Sequence, residues 1–274
     1  MNGFIAQIVA LACHGNVFLA GRSSGSFFPT NSTCVFCDKI NFVKASKLFF
    51  IGKKGKEIAT TPDEWFKYLA SRGAQGIRLS NSPQYHPHFL DRIFSRSSDA
   101  GSWAMEVLFK NGQSQYWIVN WNVWNQEAPQ NKIWRVTYQK ISESSTPHHA
   151  PSDIEKIKNR FLTSLSEIRK FSAEHDCKGF TECFQKALDT LGAPQSRQLG
   201  YHKDLAPPGA LSKCAASILD ACQCAWVFGG MGSWNDLSFE KNDDEEYHRV
   251  SGNLYQILEE AIAAAVNSPI LPDR

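Results

Sequence analysis

The sequence predicts an α+β fold, in which a mixed α/β N-terminal region carries an antiparallel, tryptophan-rich sheet and the C-terminal region consists of four helices. Two observations predict this arrangement. Five of the eight tryptophans lie between Trp103 and Trp134, in segments where apolar and polar residues alternate as they do in strands. Beyond Ser152, apolar residues instead recur at every third or fourth position, which is typical of one face of a helix.

The stretch from Ser142 to Ser152, with the sequence SESSTPHHAPS, separates the two regions. It contains two prolines and no aliphatic residue larger than alanine, a composition typical of a linker. We therefore predict a mixed domain with the sheet at residues 1–145 and a helical domain at residues 152–274.

The composition of the 274-residue chain is that of a folded globular protein. Hydrophobic residues make up 42% of it and charged residues only 20%, which excludes the highly charged class of disordered chains. The formal net charge is +2, but residues 1–150 hold 16 Lys and Arg against 9 Asp and Glu, and residues 151–274 hold 13 against 18. The two parts therefore carry +7 and −5, which favours their docking or the attraction of a charged partner.

An apolar run, GFIAQIVALAC, predicts a buried helix over residues 3–14 that ends at Gly15. The run lacks the positive residues of a signal peptide and is too short to span a bilayer, so we expect neither export nor a membrane partner. After the glycine, VFLAG at residues 17–21 predicts a short buried strand.

Two further strands are predicted, SKLFFIG at residues 46–52 and GIRLS at residues 76–80. Between them, Thr61 is a helix N-cap, Pro62 suits the first helical position, and a capping-box glutamate follows. The helix is therefore expected to begin at Pro62 and to end by Gly73.

The strongest strand signal lies in three successive segments, MEVLF, QYWIVNWNVW and KIWRVTYQKI. The first two are joined by Asn111 and Gly112, a dipeptide that supplies the left-handed conformations of a type I′ hairpin. An antiparallel meander is the expected result. Alternate residues of the second segment share one face of its strand: Trp117, Val119, Trp121 and Val123.

The residue pattern of the C-terminal region predicts four helices. The first has Ser152 as its cap and Glu155 in a capping box. The fourth opens with four consecutive carboxylates, which suit the positive end of a helix dipole. The later three helices are expected at residues 180–191, 210–228 and 243–267.

Between the third and fourth of these helices, residues 225–236 read AWVFGGMGSWND. Large aromatic rings beside glycines, which permit left-handed backbone, predict a packed turn or the wall of a small pocket. We take this loop as the candidate binding site, formed by Trp226, Gly230, Trp234, Asn235 and Asp236.

The eight cysteines are scattered and no targeting segment precedes them, which favours reduced thiols in a bacterial-type cytosol. Cys34 and Cys37 have the two-residue spacing of a zinc knuckle or a redox pair, but a zinc site needs four ligands. His86 and His88 could complete such a site only if the fold brought them close. We therefore expect no metal and no cofactor, and keep this Cys2His2 site as the weaker alternative.

The chain contains no phosphate-binding loop, no dinucleotide-binding glycine motif and no nucleophile elbow. His14, His86 and His88 form a possible polar site, which an enzyme of non-standard type, hydrolytic or directed at nucleic acid, would combine with the two cysteines. The lysines between Lys39 and Lys56 alternate with phenylalanines, a composition that suits either nucleic-acid binding or an ordinary pair of strands.

The leading interpretation is a cytoplasmic protein-binding or interaction module whose partner is another protein. It depends on the missing catalytic signatures, the many aromatic residues and the opposite charges of the two parts. The alternatives are the enzyme with a Cys/His site and a nucleic-acid-binding protein. Three or more of the named His and Cys side chains in one cleft would favour the enzyme, and a broad exposed aromatic patch would favour the interaction module.

Overall fold

A computed structural model describes residues 1–22, 25–44, 55–81, 103–144, 153–193 and 201–268. Within these ranges the chain forms six α-helices and one six-stranded sheet, which confirms the α+β class. The predicted strand at residues 46–52 lies outside them.

The first part of the chain contains two helices and all six strands. The order of the strands across the sheet is β2-β1-β6-β5-β4-β3. The bounds, in chain order, are α1 Gly3–Leu19, β1 Cys37–Lys44, β2 Lys56–Ala59, α2 Pro62–Ser71, β3 Ala74–Asn81, β4 Trp103–Phe109, β5 Ser114–Val123 and β6 Trp134–Ser144.

The predicted meander is formed by β4, β5 and β6, which pair antiparallel in succession. Gly112 has a φ of +78°, but Asn111 does not have the positive φ that a type I′ turn requires. The Gly112 N–H instead donates to the Phe109 carbonyl at 3.0 Å, so the hairpin forms as predicted but its predicted turn type is wrong. Along β5, burial decreases from Trp117 and Val119, which are buried, through Trp121, which is half-buried, to Val123, which is exposed. The predicted common face is therefore covered at one end of the strand and open at the other.

The sheet as a whole is mixed, because β1 pairs parallel with β6 while all other neighbouring strands are antiparallel. A parallel pair needs a long crossover connection between its strands. Here β2, α2 and β3 to β5 all lie between the two strands in the chain. The purely antiparallel sheet of the sequence prediction needs this correction.

Helix α1 is longer than the sequence predicts. It continues through Gly15 to Leu19, so the predicted strand at residues 17–21 is wrong. A Cβ atom at Gly15 would lie 2.5 Å from Cδ1 of Ile77 and 3.0 Å from Cε1 of Phe66. Glycine is therefore needed there for close packing and does not end the helix, which packs against β3, α2 and α6.

Helix α2 begins as predicted. The Thr61 side chain accepts a hydrogen bond from the Glu64 backbone N–H at 3.2 Å, and the Glu64 carboxylate accepts one from the Thr60 backbone N–H at 2.8 Å. Pro62 is the first helical residue. The carboxylate reaches the residue before the cap, so this is a one-residue variant of the expected capping box.

Two asparagines cover the edge of β3, the last strand of the sheet. The Asn16 side chain donates to the Ile77 carbonyl at 2.9 Å and accepts from the Ile77 N–H at 2.6 Å. Asn267 binds the backbone of Leu79 in the same way, at 2.8 and 2.7 Å. Each amide takes the place of a neighbouring strand, which blocks pairing of this edge with another chain.

The second part of the chain is helical, as predicted. Asp153 caps the first of its helices by accepting a hydrogen bond from the Lys156 N–H at 3.1 Å, whereas the predicted cap, Ser152, lies outside the described residues. The bounds of the four helices are α3 Ile154–Glu174, α4 Lys178–Gly192, α5 Lys213–Ala225 and α6 Lys241–Asn267.

A continuous apolar core joins the sheet to the helices. Helix α1 contributes to it on nearly all sides, because it lies between β3 and α6. The division into separate domains at residues 1–145 and 152–274 stays a prediction.

Candidate functional site

The predicted binding loop, residues 225–236, is held by its own polar groups. The Asn235 side chain accepts from the Gly229 N–H at 3.0 Å and donates to the Gly229 carbonyl at 3.3 Å. The Asp236 carboxylate accepts from the Gly232 N–H at 2.6 Å. Gly232 has a φ of +84°, a conformation that favours glycine. The loop therefore has one definite shape, and both polar side chains serve to fix it.

Trp234, the ring expected to line a site, is a core residue with 0% of its surface exposed. Its indole N–H donates to the Ser251 hydroxyl at 2.7 Å, and its carbonyl accepts from the Tyr247 hydroxyl at 2.6 Å. The rings of Phe180 and Phe184 lie edge-on to it, with centroids 5.2 and 5.4 Å away. Trp234 thus anchors the loop to α4 and α6.

The side chain that this anchored loop presents to solvent is Met231, which is 96% exposed. The neighbouring Gly230 and Gly232 have open space where a Cβ would be. Trp226, at the start of the loop, is half-buried with its ring 5.9 Å from that of Tyr255. A ligand of this loop would therefore meet Met231 first, a residue that the sequence pattern did not single out.

Four large apolar side chains are exposed together at one end of the sheet, and we call them the end patch: Val35, Phe36, Val123 and Trp124. Between 40% and 47% of the surface of each is exposed. Val35 and Phe36 directly precede β1, Val123 is the last residue of β5 and Trp124 follows it, with β6 between these strands. Because neighbouring strands lie about 4.8 Å apart, the two pairs are about 10 Å apart.

Backbone hydrogen bonds fix both sides of the end patch to the start of β6. The Trp134 N–H donates to the Phe36 carbonyl at 3.0 Å, and the Trp124 N–H donates to the Ile133 carbonyl at 3.0 Å. The Trp124 indole N–H also donates to the Lys132 carbonyl, at 2.8 Å. The position of the exposed Trp124 ring is therefore set by hydrogen bonds within the chain.

A cluster of three half-buried rings lies near the same end of the sheet. Phe4 lies edge-on to Trp121 at 4.7 Å and to Trp134 at 6.1 Å, and the two indoles are 5.8 Å apart. Edge-to-face pairs of this kind add to the stability that burial provides.

A cation lies on the Trp124 ring. The Arg135 guanidinium carbon is 4.2 Å from the ring centroid, and Nε of the same side chain donates to the Asp38 carboxylate at 2.8 Å. The carboxylate holds the guanidinium over the indole, which combines a cation–π contact with an ion pair. Half of the Arg135 side chain stays exposed, at 52%.

His14, the described member of the predicted polar site, belongs to a junction between the two parts of the chain. Its Nε2–H donates to the Asp204 carbonyl at 2.9 Å, and the Asn31 side chain donates to the same oxygen at 2.9 Å. The Asp204 carboxylate accepts from the Ser32 N–H at 2.8 Å and from the Ser32 hydroxyl. His202 completes this junction.

The proton positions in the junction follow from its partners. A serine hydroxyl carries one hydrogen, which Ser32 gives to the Asp204 carboxylate, a group that only accepts. His202 Nδ1, at 3.0 Å from the Ser32 hydroxyl, must then carry the proton and donate it. The Ser32 and Thr33 backbone amides are already bonded to Asp204 and Asn31, so neither is available to stabilise an oxyanion. This geometry suits a structural junction better than acyl transfer.

Burial lowers the pKa of His14, partly offset by the nearby Asp204, and burial also lowers the pKa of His202. An unfolded histidine has a pKa of about 6.5, so as the pH falls the unfolded chain takes up these two protons first. The neutral rings therefore contribute stability that is present above about pH 6.5 and is lost as the pH falls through their folded pKa values.

We expect the free energy of unfolding, measured with urea between pH 7.5 and pH 5.5, to decrease toward the acidic end. The double variant His14→Gln/His202→Gln keeps side chains that can donate but cannot titrate, so its decrease should be smaller. An identical pH profile for the double variant and the unchanged protein would contradict the role given to the two histidines.

Cys34 and Cys37, the two cysteines of the predicted motif, are both buried in the core. Burial raises the pKa of Cys34, and it raises the pKa of Cys37 to about 11, so both are thiols at neutral pH. The Gln7 side chain donates to Cys37 Sγ at 3.5 Å. His86 and His88 lie outside the described residues, and within those residues there is no group of three or more metal-ligating side chains.

Most of the lysine-rich stretch from Lys39 to Lys56 also lies outside the described residues. Lys39 forms an ion pair with Glu57 on the neighbouring strand, at 3.2 Å. This pairing is the expected arrangement of an ordinary strand pair.

The sequence did not indicate several of the residues that these surfaces use. Ser32, His202 and Asp204 meet only through the tertiary fold, about 170 residues apart in the chain. Val35 and Phe36 lie between the two cysteines, where they read as strand residues. Exposure of an apolar side chain was the missing signal, and a sequence does not report it.

Within the described ranges, none of the helices combines the length and the apolar character needed to cross a bilayer. Comparisons with models of protein families, with curated proteins and with solved structures find no match to this chain. The geometry of its side chains is therefore the basis for a functional assignment.

Proposed function

We propose that the protein is a protein-binding module and that the end patch is its recognition surface. The observation that carries this proposal is the exposure of Phe36 and Trp124, at 46% and 40%, beside an arginine stacked on the indole. Tryptophan and arginine are enriched among the residues that contribute most to protein–protein binding.

The rigidity of the end patch supports the same proposal. Its backbone is bonded to the segment that begins β6, and the Trp124 indole N–H is bonded to the Lys132 carbonyl. A partner that binds a preformed surface loses little conformational freedom in the process. An exposed apolar cluster of this kind, with charged groups at its rim, is typical of a site that another protein covers.

The alternatives have less support among the described residues. A Cys/His enzyme needs a thiolate, whereas burial raises the pKa of Cys34 and Cys37. A nucleic-acid surface needs free cations, whereas Lys39 is paired with Glu57.

We also propose that the protein works in a reducing compartment such as the bacterial-type cytosol. All eight cysteines are free thiols, and four of them are buried in the core, namely Cys13, Cys34, Cys37 and Cys222. Buried thiols pack as small apolar groups, so the fold has no need of disulfides.

A photoreactive amino acid in place of Trp124 tests the recognition surface directly. Irradiation in the cells that make the protein is expected to join this position to one discrete partner, because the patch is covered when the complex forms. Denaturing gels would show the adduct, and mass spectrometry would identify it.

The matched control carries the same label at Tyr201, which is 75% exposed but lies outside the end patch. Accidental collisions would label both positions alike. The proposal predicts a discrete adduct at position 124 only, and equal labelling at both positions, or none at 124, would refute it.

A further inference from the structure

Met231 combines two properties that rarely occur together, almost complete exposure and a fixed position. It is 96% exposed, yet the Gly229 and Gly232 backbone N–H groups on either side donate to the Asn235 and Asp236 side chains, and the buried Trp234 anchors the loop. An unbranched, polarisable thioether held out into solvent is well suited to enter an apolar site on another surface.

The chain that follows this loop is strongly acidic. From Asp236 to Glu246 there are six carboxylates and one lysine. The carboxylates are mostly exposed, and four of them, Asp243 to Glu246, lie near the start of helix α6, to which Trp234 attaches the loop. A surface that accepts Met231 should therefore be apolar and have a positive rim.

We propose that the Met231 loop of one copy of this protein binds the end patch of a second copy. This inference rests on the proposed function and names the partner of the recognition surface. The end patch exposes the apolar rings of Phe36 and Trp124, and Arg135, which is paired with Asp38, lies half-exposed at its rim.

Two physical effects favour this contact. A thioether packs favourably against the edge or face of an aromatic ring, and Trp124 and Phe36 offer two exposed rings at the ends of strands about 10 Å apart. The residues 1–150 that carry the end patch have a net charge of +7, and the residues 151–274 that carry the loop have −5. These opposite signs favour contact between the first part of one molecule and the second part of another, most strongly at low ionic strength.

The contact joins two different surfaces, so each molecule offers one loop and one patch. Such head-to-tail contacts close into a ring or extend as a chain, depending on the rotation between successive molecules. Sedimentation velocity between about 1 μM and about 1 mM, a range in which weak contacts dissociate, measures this directly. The average mass should exceed the 30.7 kDa of one chain and rise with concentration.

Met231→Asp should weaken the self-association at least about tenfold, which corresponds to the loss of one good contact. Phe36→Asp should do the same from the other side. Met231→Leu, which keeps an apolar side chain, and Tyr201→Ala, which changes another exposed residue, should associate like the unchanged protein. Because all three positions, Phe36, Tyr201 and Met231, are exposed, these variants are expected to fold normally.

A mixture of the two defective variants gives the sharpest result. Met231→Asp retains a good patch and Phe36→Asp retains a good loop, so the mixture should form dimers and nothing larger. A monomeric mixture, or unchanged protein that stays at 30.7 kDa at every concentration, would overturn the inference. If the label at position 124 still captured a different protein, the recognition proposal would hold and only self-association would fail.

Discussion

Replacing Trp234 with alanine is expected to lower the free energy of unfolding by about 3–5 kcal/mol, the usual cost of removing a large buried aromatic ring. The ring is 0% exposed and contacts Phe180, Phe184 and Tyr247, so alanine leaves a cavity between α4 and α6. The Ser251 hydroxyl also loses the indole N–H that donates to it.

Urea unfolding monitored by far-UV circular dichroism, which reports on the backbone and not on tryptophan fluorescence, measures this loss of free energy. Met231→Ala is the matched control, because it changes the same loop at an exposed side chain and should alter stability by no more than about 0.5 kcal/mol. Equal stability of Trp234→Ala and the unchanged protein would contradict the packing described for the ring.

Replacing Asp204 with alanine is the second large change, with an expected loss of about 2–4 kcal/mol. Hydrogen bonds to a charged group contribute about 1.5–3 kcal/mol each, and this half-buried carboxylate accepts two from Ser32. Part of that contribution is reduced by solvent, which is why the expected loss is less than the sum of two such bonds. Asp204→Asn keeps one acceptor oxygen, so its free energy of unfolding should lie between those of the unchanged protein and Asp204→Ala.

A double-mutant cycle separates the junction from general effects of the substitution. Ser32→Ala and Asp204→Ala remove the two sides of the same contact, so their losses should not add, and the cycle should give a coupling of about 1–3 kcal/mol. Additive losses would mean that the carboxylate does not stabilise the protein through Ser32.

The sequence predicts elements well where local residues decide the structure. Asn111 and Gly112 specify the hairpin between β4 and β5, and Thr61 with Pro62 specifies the start of α2. The regular spacing of apolar residues in the second part locates its four helices to within a few residues. In each case the signal and the structure it specifies lie within one turn or one helix.

The sequence-based prediction fails where a residue distant in the chain determines the local structure. Gly15 resembles a helix end, but Ile77 and Phe66 leave no space for a side chain in the middle of α1. The parallel pairing of β1 with β6 depends on the path of the whole sheet. Neither requirement is visible in the neighbouring sequence.

The candidate site shows the same limit. Glycines and aromatic rings correctly mark residues 225–236 as a loop of definite shape, but they do not show that Trp234 points inward and Met231 outward. A tryptophan in a glycine-rich loop is equally consistent with a pocket wall and with an anchor. Only the packing of α4 and α6 around the ring distinguishes them.

The central claim is that the exposed side chains of the end patch serve recognition and not folding. The most direct test is the yield of the photo-adduct formed by a label at Val123 when Phe36 is changed to aspartate. The account predicts a fall of at least about tenfold, the effect of losing one important contact, while the urea midpoint stays unchanged. An unchanged adduct yield in that variant would contradict it.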